Sequence, residues 1–353
     1  MFQNTRSIAF TSKPYLSHFL RYLYNSQTIN NTNSSTNICT SILRSGTISN
    51  NGTMFEQSNY NPEESHLWDG SNKIEFASSS HPGYALKSDP STQVGGWLAY
   101  RISPSDSNEH CWIRDEVAPK LTQYDYKSMP IQRPPKILVL YGSLRPTSFS
   151  RKLAYEFSRL LEELGCDVRI YNPRNLPVRD PALETEPKVL ELRALTQWSD
   201  GHVWCSPEMH GTITGTFKNQ IDWIPLNTGS VRPTQGKTCL VGQVNGGSQS
   251  FNAVNALRLL ARWMRMPCCT NQSSVAKAWK EFDGETGRMK ESSFRDRVID
   301  CAEEFAKFTA VMAPVSEELT NRYSERKEKE KEGRLLTQDE KEKQKTIEES
   351  RKS

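Results

Sequence analysis

The sequence predicts an α/β fold in which a doubly wound sheet of five parallel strands is covered by helices on both faces. Three observations lead there. Between about residues 136 and 315, short apolar runs bounded by proline or glycine alternate with segments whose apolar residues recur at helical spacing. The first of these runs, Lys136-Ile-Leu-Val-Leu-Tyr141, is a short apolar stretch bounded by proline and glycine, the signature of a buried parallel strand. Three of the turns that follow strands are unusually polar, and ligands of open parallel sheets collect at that rim.

Taken in order, Lys136-Ile-Leu-Val-Leu-Tyr141 is the first strand. Leu153, Phe157, Leu160, Leu161 and Leu164 mark a helix, with Gly165 as its stop signal. Asp167-Val-Arg-Ile-Tyr171 is the second strand, and Pro187 opens a helix carrying Val189, Leu192 and Leu195. Gly201-His-Val-Trp-Cys205 is the third strand and runs into Ser206-Pro207. Ile213, Phe217, Ile221 and Ile224 define the next helix. Lys237 to Val244 is the fourth strand, leading into Asn245-Gly-Gly-Ser248. A helix from Phe251 to Met264, a short fifth strand near Pro267 to Thr270 and a last helix from Phe294 to Met312 complete the domain, 136–315.

The flanks differ in composition. The chain has 353 residues of which 35% are hydrophobic, below the usual apolar share, so long polar ends are expected. Residues 1–55 carry Arg6, Lys13, Arg21 and Arg44 and no acid, which fits either an organellar transit peptide or a disordered extension. Residues 56–135 hold scattered aromatics (Trp68, Tyr84, Trp97, Tyr100, Trp112) without sustained periodicity. They read as an irregular arm with one short helix around Glu116 to Tyr124, its aromatics buried against a neighbouring subunit. The 316–353 tail is dense in alternating Lys and Glu, as an exposed helix laced with ion pairs or a disordered segment is.

Charge and cysteine content narrow the function classes. The four basic residues of 1–55 account for the whole net charge of +4, so the body is neutral and unsuited to tracking phosphate backbones; no nucleic-acid partner is expected. No apolar run is long enough for a membrane span. Eight cysteines without a C-x-x-C pair imply a reducing compartment, cytoplasmic or the matrix of a mitochondrion or plastid. Cys166, Cys205 and Cys239 read as buried inert thiols. Cys268-Cys269 invites a soft-metal or arsenic-thiolate site, but neighbours on a strand point to opposite faces, as His202 and Cys205 do, and no metal site is expected.

Gly142-Ser-Leu-Arg-Pro-Thr-Ser-Phe-Ser150 has what a monophosphate requires: a glycine for close approach, hydroxyls at Ser143, Thr147, Ser148 and Ser150, the cation Arg145, and no acid. It opens onto a helix N-terminus, whose free amides favour an anion. Neither the dinucleotide fingerprint nor the triphosphate loop is present. Gly211 in Ser206-Pro-Glu-Met-His-Gly211, and Gly246 and Gly247 in the turn after strand four, allow backbone to approach the edge of a flat ring. Phosphate on the first turn and a ring between the other two describe FMN in a flavodoxin-like sheet of order 2-1-3-4-5.

The segments GSLRPTSFSRKLA, VWCSPEMHGTITGTFKNQIDWIPLNTGSVRPTQGKT, QVNGGSQSFNAVNALRLLARWMRM and NQSSVAKAWKEFD resemble the ArsH family, within the NADPH-dependent FMN reductase superfamily, over about residues 133–326. The resemblance implies a flavodoxin-like homotetramer that binds FMN and oxidises NADPH. It implies phosphate contacts from Ser143, Arg145, Ser148 and Ser150. Pro207, Glu208, Met209, His210 and Gly211 would line the flavin ring, and Gly246, Gly247 and Ser248 its opposite edge. Glu208 and His210 are the candidates for polarising the ring or protonating an acceptor. Met209 stands where arginine is expected in many relatives, and Cys268-Cys269-Thr270 replaces a usual Thr-Ile-Pro. The implied acceptors are oxygen, quinones, azo dyes, metal ions and trivalent organoarsenicals. A non-enzymatic FMN electron carrier and a redox-responsive scaffold are the rival readings; the neutral body disfavours the first and the stripe-free tail the second.

Overall fold

The computed structural model describes residues 86–94, 97–102, 111–225 and 231–351, so the extension over 1–55 and the remaining parts of 56–110 lie outside the described residues. Strands β1 (Leu86–Val94), β2 (Trp97–Ile102), β3 (Lys136–Tyr141), β4 (Asp167–Ile170), β5 (Gly201–Pro207), β6 (Thr238–Val244) and β7 (Ser273–Val275) form one sheet of order β1-β2-β4-β3-β5-β6-β7. The five from β3 onward are mutually parallel and carry the predicted 2-1-3-4-5 order.

The alternation of strand side chains sorts the core into two layers. Ile137, Val139 and Tyr141 of β3 pack on one face with Leu153, Phe157 and Leu160 of α1 (Phe149–Glu163) and Val298 and Phe305 of α6 (Ser293–Met312). Leu138 and Leu140 pack on the other face. There they meet Val189 and Leu192 of α2 (Pro187–Trp198), Phe217 and Ile221 of α3 (Gly215–Trp223), and Val254 and Leu257 of α4 (Asn252–Trp263). A short α5 (Ala278–Glu281) links β7 to the segment before α6. Among the described residues no helix is long and apolar enough to cross a membrane.

Four expectations are corrected. The arm is not wholly irregular: β1 and β2 pair antiparallel and β2 adds to β4 at Tyr100 and Ile170. In place of one helix near Glu116 there is a π-helical turn at Ile113–Val117 followed by a 3-10 turn at Ala118–Lys120. Of the arm's aromatics, Trp112 buries against its own chain, with the guanidinium carbons of Arg295 and Arg288 4.9 and 5.8 Å from its ring, while Trp68 and Tyr84 and the side chains of Trp97 and Tyr100 lie outside what the structure describes. The fifth strand stands at Ser273–Val275. Cys268 makes only an isolated parallel bridge to Cys239, because the carbonyls of Cys269 and Thr270 turn aside to accept from Arg258 at 2.9 and 2.6 Å.

The tail is also more than a solvated charge run. It folds into α7 (Tyr323–Glu332) and α8 (Gln338–Ser350), and Glu325 is 1% exposed. Its carboxylate accepts from the backbone N–H and Nε of Arg322, both at 2.8 Å, and lies 3.8 Å from Arg265. Desolvation pushes this acid upward, but the Arg322 and Gln235 hydrogen bonds outweigh it and leave its pKa below the ordinary carboxylate value. Gln235 Nε2 donates to Leu319 O at 2.6 Å, which ties the tail to the turn before β6.

Candidate functional site

Strands β3, β5 and β6 are adjacent, so the turns leaving their carboxyl ends share one rim of the sheet. In the first turn, Ser148 is the N-cap of α1: its Oγ accepts from Arg151 N at 3.1 Å and lies 3.0 Å from Ser150 Oγ. Both serines are buried, whereas Arg145 and Thr147 are exposed and Ser143 half-buried. Ser143 Oγ accepts from Arg145 N at 3.3 Å. Helix geometry gives the amides of Phe149 and Ser150 no intrahelical acceptor, so the positive end of α1 faces a turn without an acid.

Gly142 has a different reason from the one the sequence suggested. A Cβ there would stand 2.8 Å from Thr214 Oγ1 and 2.9 Å from Phe217 Cβ, so the missing side chain lets β3 meet the start of α3. Thr214 caps α3 through Phe217 N and donates its hydroxyl to Gly142 O at 2.6 Å. The first and second turns are thereby fixed to one another.

Met209 and Thr212 exchange both backbone hydrogen bonds, at 2.9 and 3.2 Å, across His210 (φ 53°) and Gly211 (φ 75°). Two central residues at positive φ are the mark of a type I′ turn. This turn presents exposed Met209 and His210 at its tip. Glu208, half-buried below it, accepts from Gln243 Nε2 at 3.0 Å. Desolvation raises its pKa, but hydrogen bonds from Ser250, Gln243, the Ala253 amide and Asn252 outweigh that and hold it below the usual carboxylate value. Glu208 therefore stays ionised against the N-terminus of α4.

In the third turn Asn245 N donates to Val275 O at 3.0 Å, while Lys277 N and Ala278 N donate to Gly247 O and Asn245 O, both at 3.1 Å. Lys277 adopts φ 48° to do so. No atom lies within 4 Å of where a Cβ of Gly246 or Gly247 would stand, so their backbone is open to a neighbouring surface. Ser248 is exposed beside them.

The fold thus brings every predicted site residue to one rim, and it adds three that the sequence reading missed. Arg174 Nη2 donates to Leu144 O at 3.2 Å, which brings a second guanidinium to the first turn from the loop after β4. Arg151 is buried and donates to Pro146 O. Gln243 binds Glu208, the carbonyl of Ser250 at 2.8 Å and the amide of Val254 at 2.8 Å, so one side chain sets the spacing of the second and third turns. Its polarity inside an apolar run was the available signal; nothing local marked Arg174.

An acid-free turn with two guanidiniums on a helix N-terminus fits a phosphate monoester, and two adjoining turns of open backbone fit the edge of a flat heterocycle. Among the described residues no three His, Cys, Asp or Glu side chains are grouped to hold a metal ion.

Comparison with known proteins agrees with this chemistry. The family model "NADPH-dependent FMN reductase" matches residues 135–280. The chain is 61% identical over 194 residues to the NADPH-dependent FMN reductase ArsH of Rhizobium meliloti (strain 1021), covering 55% of this chain and 80% of that protein. It is 57% identical over 195 residues to the proteins of that name from Acidithiobacillus ferrooxidans and Shigella flexneri. Each match covers 55% of this chain, with 82% and 76% of the respective relative.

Proposed function

Since the chain belongs to the ArsH family of NADPH-dependent FMN reductases, we propose that it binds FMN across the three turns and consumes NADPH to reduce a small-molecule acceptor. The observation that carries this reading is the convergence on one rim of an anion-attracting helix start and two turns of open backbone. Bound flavin supplies two-electron redox chemistry with NADPH as the donor.

The residues of the chain bind and orient. The first-turn amides of α1, with Ser143, Arg145, Ser148 and Ser150, hold the phosphate, and Arg174 adds charge to the same turn. Pro207, Glu208, Met209, His210 and Gly211 line the ring on one side, with Gly246, Gly247 and Ser248 along its opposite edge. Glu208, held below the usual carboxylate pKa by its hydrogen bonds and tied to Gln243, positions the second turn rather than delivering a proton. His210, exposed at the turn tip, is the group left to protonate an acceptor. Acceptors of this reading are oxygen, giving hydrogen peroxide, quinones, azo dyes, metal ions such as ferric iron or chromate, and trivalent organoarsenicals. The name of the relatives favours the arsenical. A homotetramer is the assembly proposed with it.

The test is the absorption spectrum of the purified protein, recorded anaerobically before and after NADPH. A flavin spectrum that bleaches on NADPH addition supports the reading; a colourless protein that takes up no added FMN overturns it.

A further inference from the structure

Among the described residues seven cysteines are free thiols, and two of them form a pair that the flavin site does not use. Cys239 N donates to Pro267 O at 2.9 Å and Cys269 N donates to Cys239 O at 2.8 Å. This isolated parallel bridge sets Cys268 directly opposite Cys239, and both side chains belong to the same core layer. The neighbouring sulfurs are otherwise engaged: Cys269 turns to the other layer and donates to Glu304 Oε1 at 3.0 Å, and Cys301 is buried in that layer too.

We propose that Cys239 and Cys268 are a peroxide-responsive dithiol that closes to an intramolecular disulfide, Cys268 reacting first and Cys239 resolving. Cys268 is half-buried and reachable from solvent, whereas Cys239 is 0% exposed. The adjoining Cys239 side chain, and after it the Arg258 guanidinium, lower the Cys268 pKa against the opposing effect of burial. Burial raises that of Cys239, so the outer sulfur gives up its proton more readily than the inner one.

The electrons balance with hydrogen peroxide as the oxidant. The Cys268 thiolate attacks one peroxide oxygen, the O–O bond breaks, and hydroxide leaves, giving a sulfenic acid at Cys268. The Cys239 sulfur then attacks the Cys268 sulfur; the S–O bond breaks, the hydroxyl takes the Cys239 proton, and water leaves. The new bond ties β6 to the segment that leads into β7.

Full-length protein is treated with a small excess of hydrogen peroxide, alkylated and mapped by mass spectrometry. The expected result is a Cys239–Cys268 cross-linked peptide, absent before treatment and reversed by dithiothreitol. In Cys239→Ser, peroxide is expected to leave a sulfenic acid on Cys268 that dimedone traps. Cys268 carried to sulfinic acid without a cross-link, no modification at either cysteine, or a cross-link between other cysteines overturns the proposal. Added peroxide makes the outcome independent of whether flavin is bound, so it stands or falls apart from the reductase reading.

Discussion

The indole Nε1 of Trp204 donates to His202 Nδ1 at 3.2 Å, two residues along β5 and on the same side of the sheet. His202 Nε2 lies 3.0 Å from Ser199 Oγ, which in turn donates to Thr196 O at 3.0 Å. An N–H pointing at Nδ1 leaves the ring a proton only on Nε2, so the pattern selects neutral imidazole. Lys237 reinforces this from nearby, its Nζ donating to the carbonyls of Thr196 and Gln197 at 2.8 and 2.9 Å and also to that of Ser199. The histidine is a structural member of the core and has no part in the rim chemistry.

Acid stability follows from that geometry. Burial, and then the charge of Lys237, lower the His202 pKa from 6.5 to about 3. Above pH 6.5 the ring is neutral whether the chain is folded or not, and the group has no pH effect. As pH falls toward 3 only the unfolded chain takes the proton, so folding loses at most about 1.4 kcal/mol per pH unit. Urea unfolding at pH 7 and pH 4.5 should show this loss, and His202→Gln should show less of it. Equal losses in the two proteins would contradict the assignment.

A buried charge network supports the segment leading into α6. Glu156, 0% exposed on α1, accepts from Arg288 Nε and Nη2 at 2.8 and 3.1 Å and from Met289 N at 3.0 Å. Burial disfavours its charge, but Arg288 and Arg159 keep its pKa below the ordinary value. Glu156→Gln should cost about 3 kcal/mol, because it strands buried guanidinium charge. Chemical denaturation reads the cost, and a loss below about 1 kcal/mol would count against the network.

Two glycines of the rim should respond in opposite ways. Gly142→Ala forces a methyl into Thr214 and Phe217 and should lower stability by about 1–3 kcal/mol. Gly247→Ala meets open space and should leave the melting temperature nearly unchanged while weakening FMN retention. Thermal melts paired with a flavin titration of each variant distinguish the two roles.

Arg145 is exposed, so its removal should hardly alter stability. Arg145→Ala should nonetheless weaken FMN binding by about tenfold, the loss of one charge-assisted contact. Equilibrium dialysis with FMN measures it; undiminished affinity would remove Arg145 from the phosphate site.

Much of this was readable from the chain itself, where local pattern and final environment agree. The runs from Lys136 to Tyr141 and from Lys237 to Val244 are apolar at their centres and became central strands. Legibility failed where a long-range partner decides. Cys268 looks like strand, yet Arg258 on another element draws the following carbonyls out of the ladder, so β7 forms later. Glu325 sits in a charge run that predicts solvent, yet Arg322 beside it and Gln235 and Arg265 from elsewhere bury it. Gly142 looked like a ligand-facing glycine because the sequence does not reveal that Thr214 lies against it. Among the rim residues the turn motifs were visible, and the side chains that space them, Gln243 and Arg174, were not.

The hairpin of β1 and β2 has a consequence for how the sheet ends. It shields β4, and its own outer strand contains Pro90, which cannot donate to an incoming ladder. At the opposite margin β7 is three residues long, all of them buried. A sheet terminated this way offers little template for a foreign strand, so crowded copies of the folded chain should resist edge-to-edge aggregation.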